Sequence, residues 1–414
     1  MNRDCRRRET CRLCGGRDVR RVLSLTPTPP ANAFVGEAAK DKAQACFPLD
    51  VFFCAGCAHV QLLDVVDPRL LFENYVYVSG TSPVFVRHFA DYAQAVIARF
   101  RPDPGSLVVD IGSNDGTLLR EFKRRGMTVL GVDPARDIAA RATAAGIETI
   151  AGFFTPALAA DIRRRFGPAA IVTANNVFAH ADDLSGIRDG VRSLIEPDGV
   201  FVFEASYLLD VVEKTLFDTI YHEHLAYHSV KPLLKFFAAG NMDLFAVERV
   251  DVHGGSLRGM AGVVGGSHAG DGSVAILAAL EKKAAIDDAK TFAAFSRRIE
   301  GLGSALGRLI TGIKKEGKSI AGFGAPAKAT TLMHHFRLGP RAIDFIVDDS
   351  PLKQGLYTPG LHVPVLPVEA LYERRPDYVI VLAWNFAEPI MANHSAFRRA
   401  GGRFIVPLPE LEVR

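Results

Sequence analysis

The stretch Leu107 to Leu119 reads LVVDIGSNDGTLL: an apolar run, a turn on glycine, then the opening of a helix. Leu107, Val108, Val109 and Ile111 are almost continuously apolar, as expected of a strand covered on both faces. Further short apolar runs follow at Thr128–Asp133, Gly146–Gly152, Ala169–Ala174 and Gly199–Glu204, with helix-period segments between them. That alternation predicts a doubly wound parallel α/β sheet. Two alternating runs between Asp243 and Val264 predict a strand pair that closes it. Ser273 to Glu316 turns helical and charged, with Lys282, Lys283, Asp287 and Asp288 on exposed faces, as in a connector. Beyond it the α/β pattern restarts at Lys318, with strands expected at Ile343–Asp348, Tyr378–Leu382 and Arg403–Val406, which predicts a second α/β unit. Upstream, an alternating strand from Pro48 to Phe53 belongs to a small β-rich lobe, and a helix is expected from Val84 to Phe100. The boundaries read 1–80, 81–275 and 276–414.

Composition narrows the class. A chain of 414 residues exceeds one ordinary core, and the prior is about two to three domains. With 48% hydrophobic and 23% charged residues it has the make-up of a soluble globular protein. The net charge of +3 is small, and basic residues do not interleave with aromatics, so no nucleic-acid partner is expected. Arg6 to Arg8 form a short basic tail with no apolar segment behind it. No apolar run is long enough to span a bilayer. A cytoplasmic monomer without membrane attachment is expected.

Cys11-Arg-Leu-Cys14 and Cys54-Ala-Gly-Cys57 are two Cys-x-x-Cys knuckles, each able to place two thiolates on one ion. Cys-x-x-Cys also serves redox chemistry, but neither pair opens the helix of a βαβ unit, so structural zinc is expected. Four thiolates leave no open position on the metal. Cys5 and Cys46 stand apart. With so little core of its own, the lobe is expected to depend on its ion.

The turn at Gly112 carries chemistry of its own. Its spacing, Asp-x-Gly-x-x-x-Gly, differs from the Gly-x-Gly-x-x-Gly of dinucleotide sites, with Asn114 in the second glycine's place and Gly116 closing the turn. Asp110 and Asp115 suit a positively charged cofactor without phosphate, and S-adenosylmethionine is such a molecule. Asp133, at the tip of the next strand, can accept hydrogen bonds from ribose hydroxyls. Strand-glycine-helix turns also occur in domains with no cofactor, and Asp133 tips the reading toward one. Ligands of such sheets lie over the carboxyl ends of the strands, which gathers Asp110, Gly112, Asp133, Phe153 and Asn175 into one crevice. Phe153 is placed to cover an adenine, and His180 follows soon after Asn175.

Tyr221-His-Glu-His-Leu-Ala-Tyr-His228 packs three histidines, two tyrosines and a glutamate into eight residues. The zinc-protease spacing His-Glu-x-x-His is absent. A buried hydrogen-bonded network would explain the cluster, but its place after a strand facing the crevice favours acid/base work. Tyr75, Tyr77, Ser79 and Ser82 precede a helix start, where hydroxyls bind phosphate or simply cap. His253 lies in a loop expected near the site. Gly322-x-Gly324-x-x-Ala327 looks like a phosphate cradle with Lys328 adding a cation, and a purely structural turn is the competing reading.

Taken together, the zinc knuckles, the glycine turn, Tyr-His-Glu-His and Gly-Phe-Gly-Ala-Pro-Ala-Lys strongly resemble the nucleotide-sugar C-methyltransferases, S-adenosylmethionine-dependent enzymes that act at C-3 of deoxysugars. The resemblance spans nearly the whole chain. It implies a zinc-binding N-terminal domain, a class I methyltransferase domain and a C-terminal Rossmann-like domain. It also implies active-site roles for Tyr221, Glu223 and His224, with His224 as the base, and places His180 and one of Tyr75 or Tyr77 in the same pocket. The substrate it suggests is a thymidine diphosphate-linked 4-keto-6-deoxyhexose. The alternatives are an O- or N-methyltransferase, or a zinc-knuckle binding protein without catalysis.

Overall fold

The computed structural model describes residues 4–72, 80, 83–252 and 254–414. Three larger sheets and one two-stranded sheet organise them, and one apolar core runs through the three larger ones. The central sheet has seven strands, ordered Met242–Val250, Ser256–Val263, Ile195–Ser206, Ala169–Asn175, Leu107–Ile111, Thr128–Asp133, Thr149–Ala151. Ser256–Val263 runs antiparallel to both of its neighbours, and the pairs from Ile195–Ser206 onward are parallel. The strands on either side of Leu107–Ile111 therefore lead away in opposite directions, and a crevice opens at its carboxyl end. Val108, Val109 and Leu130 are fully buried, because helices cover both faces of this sheet and leave no polar face for alternation.

The second α/β unit repeats this logic. Its six strands are ordered Val365–Leu366, Ile346–Val347, Ile320–Phe323, Tyr378–Val381, Arg403–Val406, Glu412–Val413, with only the last antiparallel to its neighbour. Here the crevice opens at Ile320–Phe323. The connector is two helices, Ser273–Lys283 and Ala289–Lys315. The second buries Phe292, Phe295, Ile299, Leu306, Ile310 and Ile313, an apolar stripe at helical spacing.

The N-terminal lobe is tied to the rest of the chain. Its antiparallel sheet contains Val19–Thr28, Phe47–Cys54 and Val60–Leu62, and its edge strand is Ala226–Tyr227 from the middle of the chain. Phe53 meets Phe292 of the connector with ring centroids 6.1 Å apart. Thr330 Oγ1 in the C-terminal unit donates to Ala31 O at 2.9 Å. The lobe thus shares core and hydrogen bonds with both larger units. The Arg6–Arg8 region is not a loose tail either: Cys5–Arg7 pairs antiparallel with Asp64–Val66. Among the described residues, no helix is long and apolar enough to cross a membrane.

Candidate functional site

The two crevices open into one cavity of about 1170 Å³ lined by all three parts of the chain. The strand Leu107–Ile111 delivers Asp110 and the turn beyond it. Three residues of that turn, Gly112, Asn114 and Gly116, have positive φ of 72°, 50° and 76°. A Cβ on Gly112 would lie 2.3 Å from Val177 Cγ2, so only glycine fits. Asn is among the few other residues that adopt this backbone readily. Gly116 packs on Ile147 instead of facing the cavity. Asp133 fastens the turn from the neighbouring strand: Oδ2 accepts from Asn114 N at 2.8 Å and Oδ1 from Ala135 N at 2.9 Å. A carboxylate has about four acceptor positions, so Asp133 can hold the turn and still face a ligand in the cavity it lines.

Burial pushes the Asp110 carboxyl up to about 7, opposed by the Thr173 hydroxyl, which donates to it at 2.6 Å. Asp115 does not face the cavity. Its carboxylate accepts from the Thr117 hydroxyl at 2.6 Å and pairs with Arg120 at 3.4 Å, so it shapes the helix start. Phe153, Asn175 and Asn176 complete this side, with Phe153 42% exposed and free to cover a planar group.

The Tyr-His-Glu-His segment divides between roles. Tyr221 and His224 line the cavity with ring centroids 4.0 Å apart, and His180 stacks on His224 at 5.0 Å. His224 Nδ1 lies 2.7 Å from Thr219 O. A carbonyl only accepts, so Nδ1 carries the hydrogen and the neutral ring keeps its lone pair on Nε2. Burial drives the His224 imidazole down to about 4, partly opposed by that carbonyl, so the ring is neutral at pH 7. Burial also holds His180 well below its ordinary value, with His224 adding to the effect.

His222, Glu223 and His228 turn away from the cavity. His222 Nε2 lies 3.2 Å from Phe47 O, and His228 stacks on Phe178 at 5.2 Å. Glu223 accepts from Asn32 Nδ2 at 2.9 Å, and Asn32 is the residue that faces the cavity. Glu223, expected to have an active-site role, thus meets a residue of the cavity wall, Asn32. The segment turns this way because Ala226–Tyr227 immediately joins the lobe's sheet, which rotates alternate side chains into the packing.

On the opposite wall, Ile320–Phe323 ends at Gly324 and the helix Ala327–His335 begins. Lys328 lines the cavity with its Nζ buried 3.5 Å from the centroid of the Trp384 ring, with no hydrogen-bond partner among the described residues. Burial lowers this ammonium to about 8, and Asp218 opposes the shift. Asp218 in turn accepts from Trp384 Nε1 at 2.5 Å. Asp348, Ser350 and Lys353 also line this side. Asn32, Thr219, Trp384 and Lys353 carried no motif, and only the fold shows their place. Tyr75, Tyr77, Ser79, Ser82 and His253 lie outside the described residues.

The four knuckle thiols converge. Cys11 and Cys57 Sγ are 3.6 Å apart, as are Cys14 and Cys54, and all four lie within 4.8 Å of one another. Zinc–sulfur bonds of about 2.3 Å place tetrahedral ligands about 3.8 Å apart, so the set fits a zinc ion.

A sheet with a glycine turn at its reversal point is joined to a four-thiolate lobe and a second α/β unit, and family comparison identifies this arrangement as a methyltransferase with two accessory domains. Family descriptions agree in chain order: a zinc binding domain matches residues 11–72, a "Methyltransferase domain" 85–242 and a "C-methyltransferase C-terminal domain" 251–409. C-methyltransferase NovU of Streptomyces niveus is 36% identical over 405 residues, 98% of this chain and 96% of that protein. The chain belongs to the C-methyltransferase family, and its cofactors are S-adenosylmethionine and zinc. Two solved methyltransferases overlap only distantly. Magnesium protoporphyrin IX methyltransferase of Synechocystis PCC 6803 with bound SAM is 17% identical, covers 43% of this chain and 80% of its own, and has a TM-score of 0.32. CalO1 of calicheamicin biosynthesis is 15% identical, covers 44% and 54%, and has a TM-score of 0.34.

Proposed function

We propose that this C-methyltransferase acts on a nucleotide-linked 4-keto-deoxysugar, of which a thymidine diphosphate-linked 4-keto-6-deoxyhexose is the first to test. The observation that carries the reading is His224, neutral and oriented by Thr219 O at 2.7 Å, in a cavity also lined by Asp110, Asp133 and the buried cation of Lys328. Carbon becomes nucleophilic when a proton leaves the position next to a ketone, which requires a base and a donor for the developing oxyanion. Nε2 of His224 takes that proton, and the C–H electron pair moves to form the enolate, with charge on the ketone oxygen. Tyr221 donates to that oxygen, while Thr219 O holds the Nδ1 hydrogen of the resulting imidazolium. His180 supports the His224 ring face to face. S-adenosylmethionine supplies an electrophilic methyl group. Asp110, Gly112, Asn114, Asp133, Phe153 and Asn175 form the wall that holds it, with Gly116 keeping the turn's shape. Lys328 meets the diphosphate. The enolate pair would form the new carbon–carbon bond while the S–CH3 pair would stay with the sulfur as a neutral thioether, and His224 then gives its proton to solvent.

The test is hydrogen exchange at the carbon next to the ketone, with the 4-keto substrate in deuterated water. Wild-type protein is expected to exchange it and methylate that carbon, and His224→Asn to do neither while still binding S-adenosylmethionine. Methyl found on oxygen or nitrogen would end the enolate reading.

A further inference from the structure

Arg12 lies between two metal ligands of the first knuckle, yet it is 2% exposed and its guanidinium bonds to groups outside the knuckle. Its guanidinium spans the two segments that carry the cavity histidines. Nη1 donates to Leu225 O at 3.1 Å, next to His224, and to Leu62 O at 2.7 Å. Nε donates to Asp182 Oδ1 at 3.1 Å, two residues beyond His180. Gln61 Oε1 accepts from the same Nη1 at 3.1 Å and from Arg12 N at 3.0 Å, which fixes the side chain at its root. The two segments also bond directly, with Leu225 N and Ala226 N donating to Ala179 O at 2.9 and 3.1 Å. Arg6 and Arg8 add to the charge around Asp182, Arg8 at 3.2 Å.

We infer that Arg12 is a positioning residue through which the first knuckle sets the His180–His224 ring pair against the substrate. The inference rests on the reading of His224 as the base. A planar fork reaches a carboxylate and two carbonyls at once. Without it, Asp182 and the carbonyls of Leu62 and Leu225 lose a shared donor, and the segments bearing the two rings become free to shift. Small misplacements of reacting groups cost rate out of proportion to binding. The zinc lobe, on this account, holds the active site's geometry as well as its own fold.

The experiment uses full-length, zinc-loaded protein with S-adenosylmethionine and a thymidine diphosphate-linked 4-keto-6-deoxyhexose, comparing Arg12→Met, Arg12→Lys, Asp182→Asn and the Arg12→Met/Asp182→Asn double variant. Arg12→Met is expected to lower kcat by about 10²-fold with KM nearly unchanged, and zinc content and S-adenosylmethionine affinity kept. Arg12→Lys should recover part of the loss, since an ammonium reaches one of the partners but not all. The double variant should be no slower than Arg12→Met, because both changes break the same link. A kcat for Arg12→Met within about threefold of wild type, or losses that simply add in the double variant, overturns the inference. Should Arg12→Met lose its zinc, Asp182→Asn decides, since it lies outside the knuckle: a kcat drop of about tenfold supports the link and an unchanged kcat refutes it. Failure of the underlying reading shows separately, as His224→Asn that still exchanges and turns over.

Discussion

The strands Leu107–Ile111 and Ile320–Phe323 end in turns built on one plan that hold opposite chemistry. In the first, Gly112 N donates to Val132 O at 2.7 Å, and in the second Gly324 N donates to Val347 O at 2.7 Å. The residue after each accepting carbonyl is an aspartate that spans the turn. Asp133 accepts from Asn114 N and Ala135 N, and Asp348 from Ala325 N at 2.6 Å and Ser350 N at 2.8 Å. Each glycine has a left-handed backbone and sits against the exit of the strand on its other side, Val177 for Gly112 and Ala383 for Gly324. What differs is the side chains presented to the cavity. The first turn offers Asp110 and no cation, and the second is followed at once by Lys328, with Lys353 donating to Ala325 O at 2.9 Å. Backbone geometry thus makes a turn able to approach a ligand closely, and the charges placed around it decide which ligand.

Six substitutions and a pH titration probe that contrast, and the largest effect is expected at His224. His224→Asn should lower turnover by about 10²- to 10⁴-fold, with both ligands still bound as measured by calorimetry. Loss of either ligand's binding would mean that His224 belongs to one wall. Next come the walls themselves. Asp133→Ala should weaken S-adenosylmethionine binding by about 1–3 kcal/mol and leave thymidine diphosphate binding alone, whereas Lys328→Met should do the reverse by a similar amount. If each variant weakened both ligands equally, the division of labour would collapse.

Titration sharpens the same contrast because the signs oppose. Asp110, at about 7, gains its charge as pH rises, so affinity for the sulfonium should increase through pH 7. Lys328, at about 8, loses its charge as pH rises, so affinity for the diphosphate should fall above pH 8. Between pH 6 and 9 the two dissociation constants are expected to move in opposite directions, by roughly severalfold each. Asp110→Asn should flatten the first curve alone. The last test is structural, reads stability and not binding, and is shared by both turns. Gly112→Ala and Gly324→Ala each force a left-handed alanine against a neighbour, at 2.3 Å from Val177 and 2.6 Å from Ala383. Each should cost about 1–3 kcal/mol in urea unfolding, and a neutral result at either would show that its turn can relax.

Much of this was readable from sequence because it is local. Chain order and spacing determined the doubly wound sheet, the second α/β unit, the two knuckles and the glycine turn, since each depends on residues a few positions apart. The strand Thr128–Asp133 begins and ends where its apolar run does, and the connector's first helix starts at Ser273. Only the tertiary structure decided the rest. It turned Glu223 onto Asn32, 191 positions away, and set Asp115 to serve its own helix. It added Ala226–Tyr227 to the lobe's sheet and brought Arg12 to Asp182, 170 positions apart. A side chain's spacing along the chain tells which face of an element it takes, but what that face meets is set by burial of the whole core. That burial is shared among segments too distant in sequence to leave a local mark.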